Sequence, residues 1–427
     1  MHRLAVLALL LVGSSVQGCA NPPFAQQVQT GDWAAVARGV RKAESSGQWS
    51  SQDTRELAQQ VLEVEIQAAP SAAATQWIPG LRGCARAVLP ALKARADNSD
   101  ATAAAVTRIL IERDAVSFEQ LVDDHGESTD PLWRAVAMRA AVASRHAELR
   151  LQGLRDADSN VRRAALVAVK VASDDSGLVP VEELLQIARH DPEPINRSLA
   201  ARAATSQGSE RAILFLRDYW GEVELDERVT FVEAWAQSRA LPAGGSRELE
   251  WVLGTDAGMP GVVAALALQH DSSGARAVLV RTLQTGAARE QAVAAQMVSL
   301  QFPELLGALK KLLREPGLED KLKVTILERL ATLPKESKAA VAGLKKLADS
   351  ASDAAPAARH ALAERGDTSV QPALLGEMGF GSANGRLAAA GALLALGQDA
   401  KVAPLLGDRV RDTRVRAACL ILASRSQ

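Results

Sequence analysis

The sequence predicts an all-α fold, an α-solenoid of stacked antiparallel helix pairs, and three observations carry that expectation. The chain is 48% hydrophobic but only 3% aromatic, so its apolar mass lies mainly in Ala, Val and Leu. Small aliphatics suit closely packed helices, whereas sheets draw on aromatic and β-branched residues. At 427 residues it is longer than one compact core usually spans. Finally, one phrase keeps returning. "DSNVRRAALVAVKVAS" at Asp158 has counterparts beginning at Asp130, Asp191, Asp226, Asp256, Thr285, Asp320, Asp353, Asn384 and Asp412, about every 31 residues. A fixed period of that length marks repeats that stack.

Each part of the phrase has a mechanical purpose. An Asp or Asn before the apolar run accepts hydrogen bonds from the first free amides of a helix. Pro131 and Pro192 directly follow such caps, at a first helical position that needs no amide. From Asp158 onward, Val161, Ala164, Ala165, Ala168, Val171 and Ala172 recur at helical spacing and make one apolar stripe. Between phrases lie second helices, as in "VPVEELLQIARH" (179–190) and "SERAILFLRDYW" (209–220). Each unit is thus a helix pair that one pair alone cannot keep dry. Residues 32–128 are helical in pattern but lack the phrase, and read as an irregular amino-terminal helical region. The seven Trp all lie between Trp33 and Trp251 and are expected to wedge between repeats.

The pattern Asp-x-x-Val-Arg-x-x-Ala, best kept at Asp158–Ala165 and echoed by Asp412, Val415 and Arg416, resembles the HEAT repeat family over residues 129–427, in about ten copies. The resemblance implies a ladder of Asp and Arg between neighbouring helix pairs, to which Asp158 with Arg162, Asp191 with Arg197 and Asp412 with Arg416 would belong. Thr230 stands where Asp226 would need an Arg, which would break it there. Simple solvated charge is the competing reading of these arginines.

The amino terminus carries the address. After Arg3 comes a nine-residue apolar run, Leu4–Val12, too short to span a bilayer core, which takes about 20. The pattern is that of an export signal. "VQGC" (Val16–Cys19) resembles the bacterial lipoprotein signal, with Gln17 departing from the usual small residue. The resemblance implies cleavage between Gly18 and Cys19 and diacylglycerol on the Cys19 thiol. Residues 1–18 would be the signal peptide, and 19–31 the lipidated Cys and its tether. Several acyl chains, at about 0.8 kcal/mol per buried methylene, make such an anchor permanent. The expected location is the bacterial cell envelope, facing the periplasm, with Ala20 after the Cys favouring the outer membrane. An ordinary secretory signal with an incidental Cys is the alternative.

Two other cysteines, Cys84 and Cys419, are expected to be small buried hydrophobes, because a disulfide would have to join distant ends of an elongated molecule. With Lys+Arg 49 against Asp+Glu 50, the chain has no bulk attraction for phosphates, which argues against nucleic acid. Catalytic and zinc-type motifs do not stand out, and no cofactor or metal is assigned. "VDDHGEST" gathers Asp123, Asp124, His125 and Glu127, which a metal could use, although a solvated loop is the plainer reading. "GFGSANG" (379–385) reads as a turn joining two helices. The expectation is a membrane-anchored scaffold or adaptor that binds a protein or peptide along a concave surface. An envelope enzyme or ligand-binding accessory with a site near His125, or a structural spacer, are the competing classes.

Overall fold

The computed structural model describes residues 24–427 apart from 69–76, 99, 142–145, 172–178, 239–244 and 425–427. The expected cleavage site and lipid attachment at Gly18 and Cys19 lie outside the described residues. Among the described residues every regular element is an α- or 3₁₀-helix, and the fold is an all-α solenoid of neighbouring helix pairs.

The phrases begin one layer of that solenoid. Its helices include Pro131–Ala140, Ser159–Val171, Pro194–Ser206, Leu225–Ser238, Met259–Leu268 and Ala288–Met297, and continue through Asp320–Leu330, Ala355–Glu364 and Ala383–Ala395 to Arg411–Ala423. Each packs on the next. Their contact faces are rich in alanine, as with Ala200, Ala201, Ala203 and Ala204, all fully buried. The small side chains let these axes approach, which makes this the inner, concave layer. The intervening helices, such as Val181–His190 and Glu210–Asp218, form the outer layer.

The register differs from the expected one in detail. Asp158 does cap its helix, accepting from the amides of Asn160 and Val161. Asp191 instead holds the amide of Glu193, the actual N-cap, and Pro194 rather than Pro192 takes the first helical position. Asp412 already lies inside the last helix, and Asp408 holds the turn before it through the Val410 amide.

The layer does not end in open caps. The last helix, Arg411–Ala423, packs on Ala383–Ala395 on one side and on α3 (Ser51–Gln67) on the other. From there the contacts run to Leu89–Ala96, then Ala101–Glu112, then back to Pro131–Ala140. The circuit is complete, and the solenoid is a ring. Amino-terminal helices α1 (Ala25–Thr30) and α2 (Trp33–Ser45) precede α3, and α2 lies over the 3₁₀ segment Ala403–Gly407, strapping the closure from outside. Contact there is so close that a Cβ on Gly407 would stand 2.6 Å from the Trp33 carbonyl oxygen. The thirteen inner elements of this circuit, at the usual interaxial spacing of about 9 Å and if evenly arranged, place their axes on a circle of roughly 19 Å radius. After the half-thickness of a helix is subtracted, the opening is on the order of 25 Å across.

The closure is held by groups far apart in sequence. Cys84 and Cys419 form a disulfide with Cα atoms 5.2 Å apart, across 335 residues. The expectation of two separate buried thiols is therefore wrong. It assumed an elongated molecule, and ring closure brings the ends together. Around the bridge, Arg55 pairs with Asp399 at 3.3 Å and Lys401 with Glu44. Arg414 lies 4.2 Å from the centre of the Trp33 ring and Arg411 5.4 Å from that of Trp77.

A charge ladder runs between units, on different partners from those expected. Each arginine reaches forward to the carboxylate at the next corner: Arg134 to Asp156 at 2.8 Å, Arg162 to Asp191 at 2.7 Å and Arg197 to Glu227 at 2.6 Å. The same guanidinium donates backward to carbonyls five and six residues earlier, such as those of Asp156 and Ala157 for Arg162. Thr230 does not break the run at this point, since Glu227 rather than Asp226 receives Arg197. The next step is weaker, with Arg228 3.9 Å from Asp256. In the last unit the ladder residue is Arg414, not Arg416, which makes exposed contacts with Asp412 and with Asn384 of the neighbouring helix. Arg414 reaches Glu65 of α3 at 2.6 Å and donates back to the Asp408 and Arg409 carbonyls, so the ladder crosses the seam with the geometry of the steps at Arg162 and Arg197.

The hydrogen bond from Arg134 holds the Asp156 carboxyl below the usual range, against the opposing effect of burial. Burial acts most strongly on Asp191 and favours its neutral form, but Arg162 and the Glu193 amide together outweigh it. Carboxyls with depressed folded values stabilise the fold above their unfolded pKa of about 3.9 and lose that contribution as pH falls through the folded values. The urea midpoint should therefore hold steady down to about pH 4 and drop below it. Asp191→Ala strands the largely buried Arg162 and should cost about 3 kcal/mol in urea denaturation, most of it recovered in Asp191→Ala/Arg162→Met. Cys84→Ser should migrate more slowly than the oxidised wild type on a non-reducing gel, and should lose stability on the order of 4 kcal/mol, the entropy of a very long closed loop.

Candidate functional site

The inner layer offers one stripe per helix to the central opening, because the other faces are occupied by the outer layer and by two neighbours. That stripe carries charges at Arg163, Arg202 and Arg416, and at Leu420, one turn after Arg416, an exposed apolar side chain. Across three successive helices it is apolar. Val229 and Ala236 of Leu225–Ser238, Val263 and Ala267 of Met259–Leu268, and Val293 and Met297 of Ala288–Met297 line a groove of about 640 Å³. Met297 is 59% exposed, unusual for so large an apolar side chain. One charge of each sign borders the groove. Glu233 is paired with Arg202 of the preceding inner helix, and Arg289 lies 3.9 Å from Asp226 with both side chains exposed. The groove can take an apolar segment of a few residues and set its direction through the flanking charges.

The sequence could have revealed this patch, but only with the repeat register in hand. Counted from the carbonyls that accept the first helical hydrogen bonds (Asp158, Glu193, Glu224 and Gly258), Arg163, Ser198, Val229 and Val263 all stand five residues on, and Val293 stands six after Ala287. Read along the chain, the three valines look like ordinary core residues.

The corners where phrase helices begin form a second exposed apolar set. Leu132, Ile195, Leu225 and Val410 are 38–50% exposed, and Phe380, within the expected glycine-rich turn, is 97% exposed. That turn is as expected: Ser382 caps the following helix through the Gly385 amide. On the outside, beside the seam, α2 borders a second cavity of about 820 Å³, with Arg38, Arg41 and Arg409 in its wall.

The residues singled out around His125 do not converge. His125 ends helix Phe118–His125 and stacks on Trp133, ring centres 4.2 Å apart. Among the described residues no three His, Cys, Asp or Glu gather in a way that could hold a metal ion. The tryptophans pack between elements: Trp220 stacks on Trp235 at 5.6 Å and meets Trp251 edge-on at 5.5 Å. Arg217 and Arg228 lie over the rings of Trp251 and Trp220. Among the described residues no helix is long and apolar enough to cross a membrane. No family model matches the chain, and no curated protein is found similar to it.

Proposed function

We propose that the protein is an exported, lipid-anchored scaffold of the bacterial cell envelope that receives a protein partner on the inner wall of its ring. The observation that carries this reading is the apolar groove of Val229, Val263, Val293 and Met297, a solvent-facing patch shared by three neighbouring inner helices. A helical or extended partner segment with apolar side chains fits it, since a helix is about 10–12 Å thick and the opening is wider. The address rests on the "VQGC" signal, with Cys19 as the lipid attachment and Gly18 as the last residue removed. The Cys84–Cys419 disulfide supports export, because such bonds persist in oxidising compartments such as the periplasm. The mechanism is display: a rigid groove held at the membrane surface, with affinity gained from a pre-formed site.

Crosslinking in membranes followed by mass spectrometry should identify a partner attached near Met297. Val263→Glu/Met297→Glu should abolish that adduct while leaving the helical circular dichroism unchanged. An adduct that survives the double substitution rules out the groove, and no reproducible adduct at all rules out the scaffold. Cys19→Ser should no longer float with membranes or take up labelled fatty acid; if it still does both, the anchor is elsewhere.

A further inference from the structure

One pair of charges on the inner wall is unlike the rest. Arg108 and Arg139 sit on neighbouring inner helices, Ala101–Glu112 and Pro131–Ala140. Each helix begins at a capping aspartate, Asp100 and Asp130. Arg108 follows its cap by eight residues and Arg139 by nine, so at about 1.5 Å per residue the two stand at nearly the same height. Both lie on the stripe that faces the opening and both are half-buried. Their Nε atoms are sealed from water without a hydrogen-bond partner. Among the described residues neither side chain makes an ion pair or a hydrogen bond. Glu112, the carboxylate that acts on Arg139, is paired with Arg82 at 2.8 Å, and Arg82 adds a third positive charge beside them.

This arrangement is costly as it stands. Burial, followed by the charges of Arg139 and Arg82, lowers the proton affinity of Arg108. Burial also lowers that of Arg139, with Glu112 opposing and Arg82 assisting. At the equivalent place on another inner helix the charge is paired. Arg202, nine residues after the Glu193 cap, is paired with Glu233 of the next helix. Two forked guanidiniums at one height, each with donors to spare, match the oxygens of a phosphate or carboxylate group.

We propose that Arg108 and Arg139 form a binding site for an oxyanion, a phosphate or carboxylate group held between two inner helices beside the seam. The site does not depend on the anchor or on the apolar groove, so its test is separate from theirs. Calorimetric titration of the protein in low-chloride buffer with inorganic phosphate, and separately with citrate, should each give a saturable isotherm. A response to phosphate alone identifies a phosphate site, and a response to citrate alone a carboxylate site. Arg108→Gln and Arg139→Gln should each weaken binding about tenfold or more, the loss of one charge-assisted contact. Arg202→Gln, which removes an arginine already neutralised, should leave binding unchanged. Without added anion, the double variant Arg108→Gln/Arg139→Gln should melt no lower than the wild type, because repulsion is removed along with the charges. Isotherms that are absent for both anions, or indistinguishable between wild type and the double variant, overturn the site.

Discussion

A helix pair with two apolar flanks is stable only when both flanks are covered, and everything in this molecule follows from that constraint. Open solenoids meet it with capping repeats that turn a polar face to water. Here the chain bends until the last pair meets the first, so each flank is covered by another pair. The alanine-rich inner layer makes the bend possible: Ala200, Ala201, Ala203 and Ala204 take up little room, and the axes crowd together on the concave side. The irregular amino-terminal region belongs to the same solution. Helix α3 occupies the place where an eleventh phrase would have left a gap, and α2 covers the joint from outside.

The arginine ladder adds direction to this packing. Apolar faces specify contact but not register, and a pair could slide along its neighbour with little change in buried area. A guanidinium that must reach a carboxylate one unit ahead and two carbonyls of its own corner fixes height and rotation at once. Exposed ion pairs contribute little to stability, but Arg162 and Asp191 are largely shielded, at 13% and 3% side-chain exposure. The step from Arg414 to Glu65 shows that closure obeys the same rule as the joints at Arg134, Arg162 and Arg197. What distinguishes the seam is the covalent bond between Cys84 and Cys419, laid across the one joint where no peptide connection exists.

Much of the architecture was legible in the sequence because it is periodic. The recurrence of phrases such as those at Asp158 and Asp412 reveals helix pairs, and the alanine stripe shows that they pack closely. Curvature is a different matter. It accumulates from small rotations at every joint, and no single residue records it, so the sequence offered no reason to place Cys84 beside Cys419. The ladder was half-legible for a related reason. Arg162 and Asp191 were recognised as members, but their pairing crosses units, whereas the eye pairs Asp158 with Arg162 inside one phrase. Pro192 and Pro194 illustrate local ambiguity: either could begin a helix, and the side chain of Asp191, turned to the Glu193 amide, decides between them. The groove was hidden because its valines are individually ordinary and become a patch only when three phrases stand side by side.

Because the first and last units touch, the peptide chain's own beginning is, in packing terms, an arbitrary cut in a continuous band. An exposed corner away from the ladder, such as that at Pro316 and Gly317, could serve as the chain's ends in its place. A circularly permuted chain, opened there and joined from its old carboxyl end to residue 24, would keep every interface, while the Cys84–Cys419 bridge would change from a lock between the two ends into an ordinary internal staple.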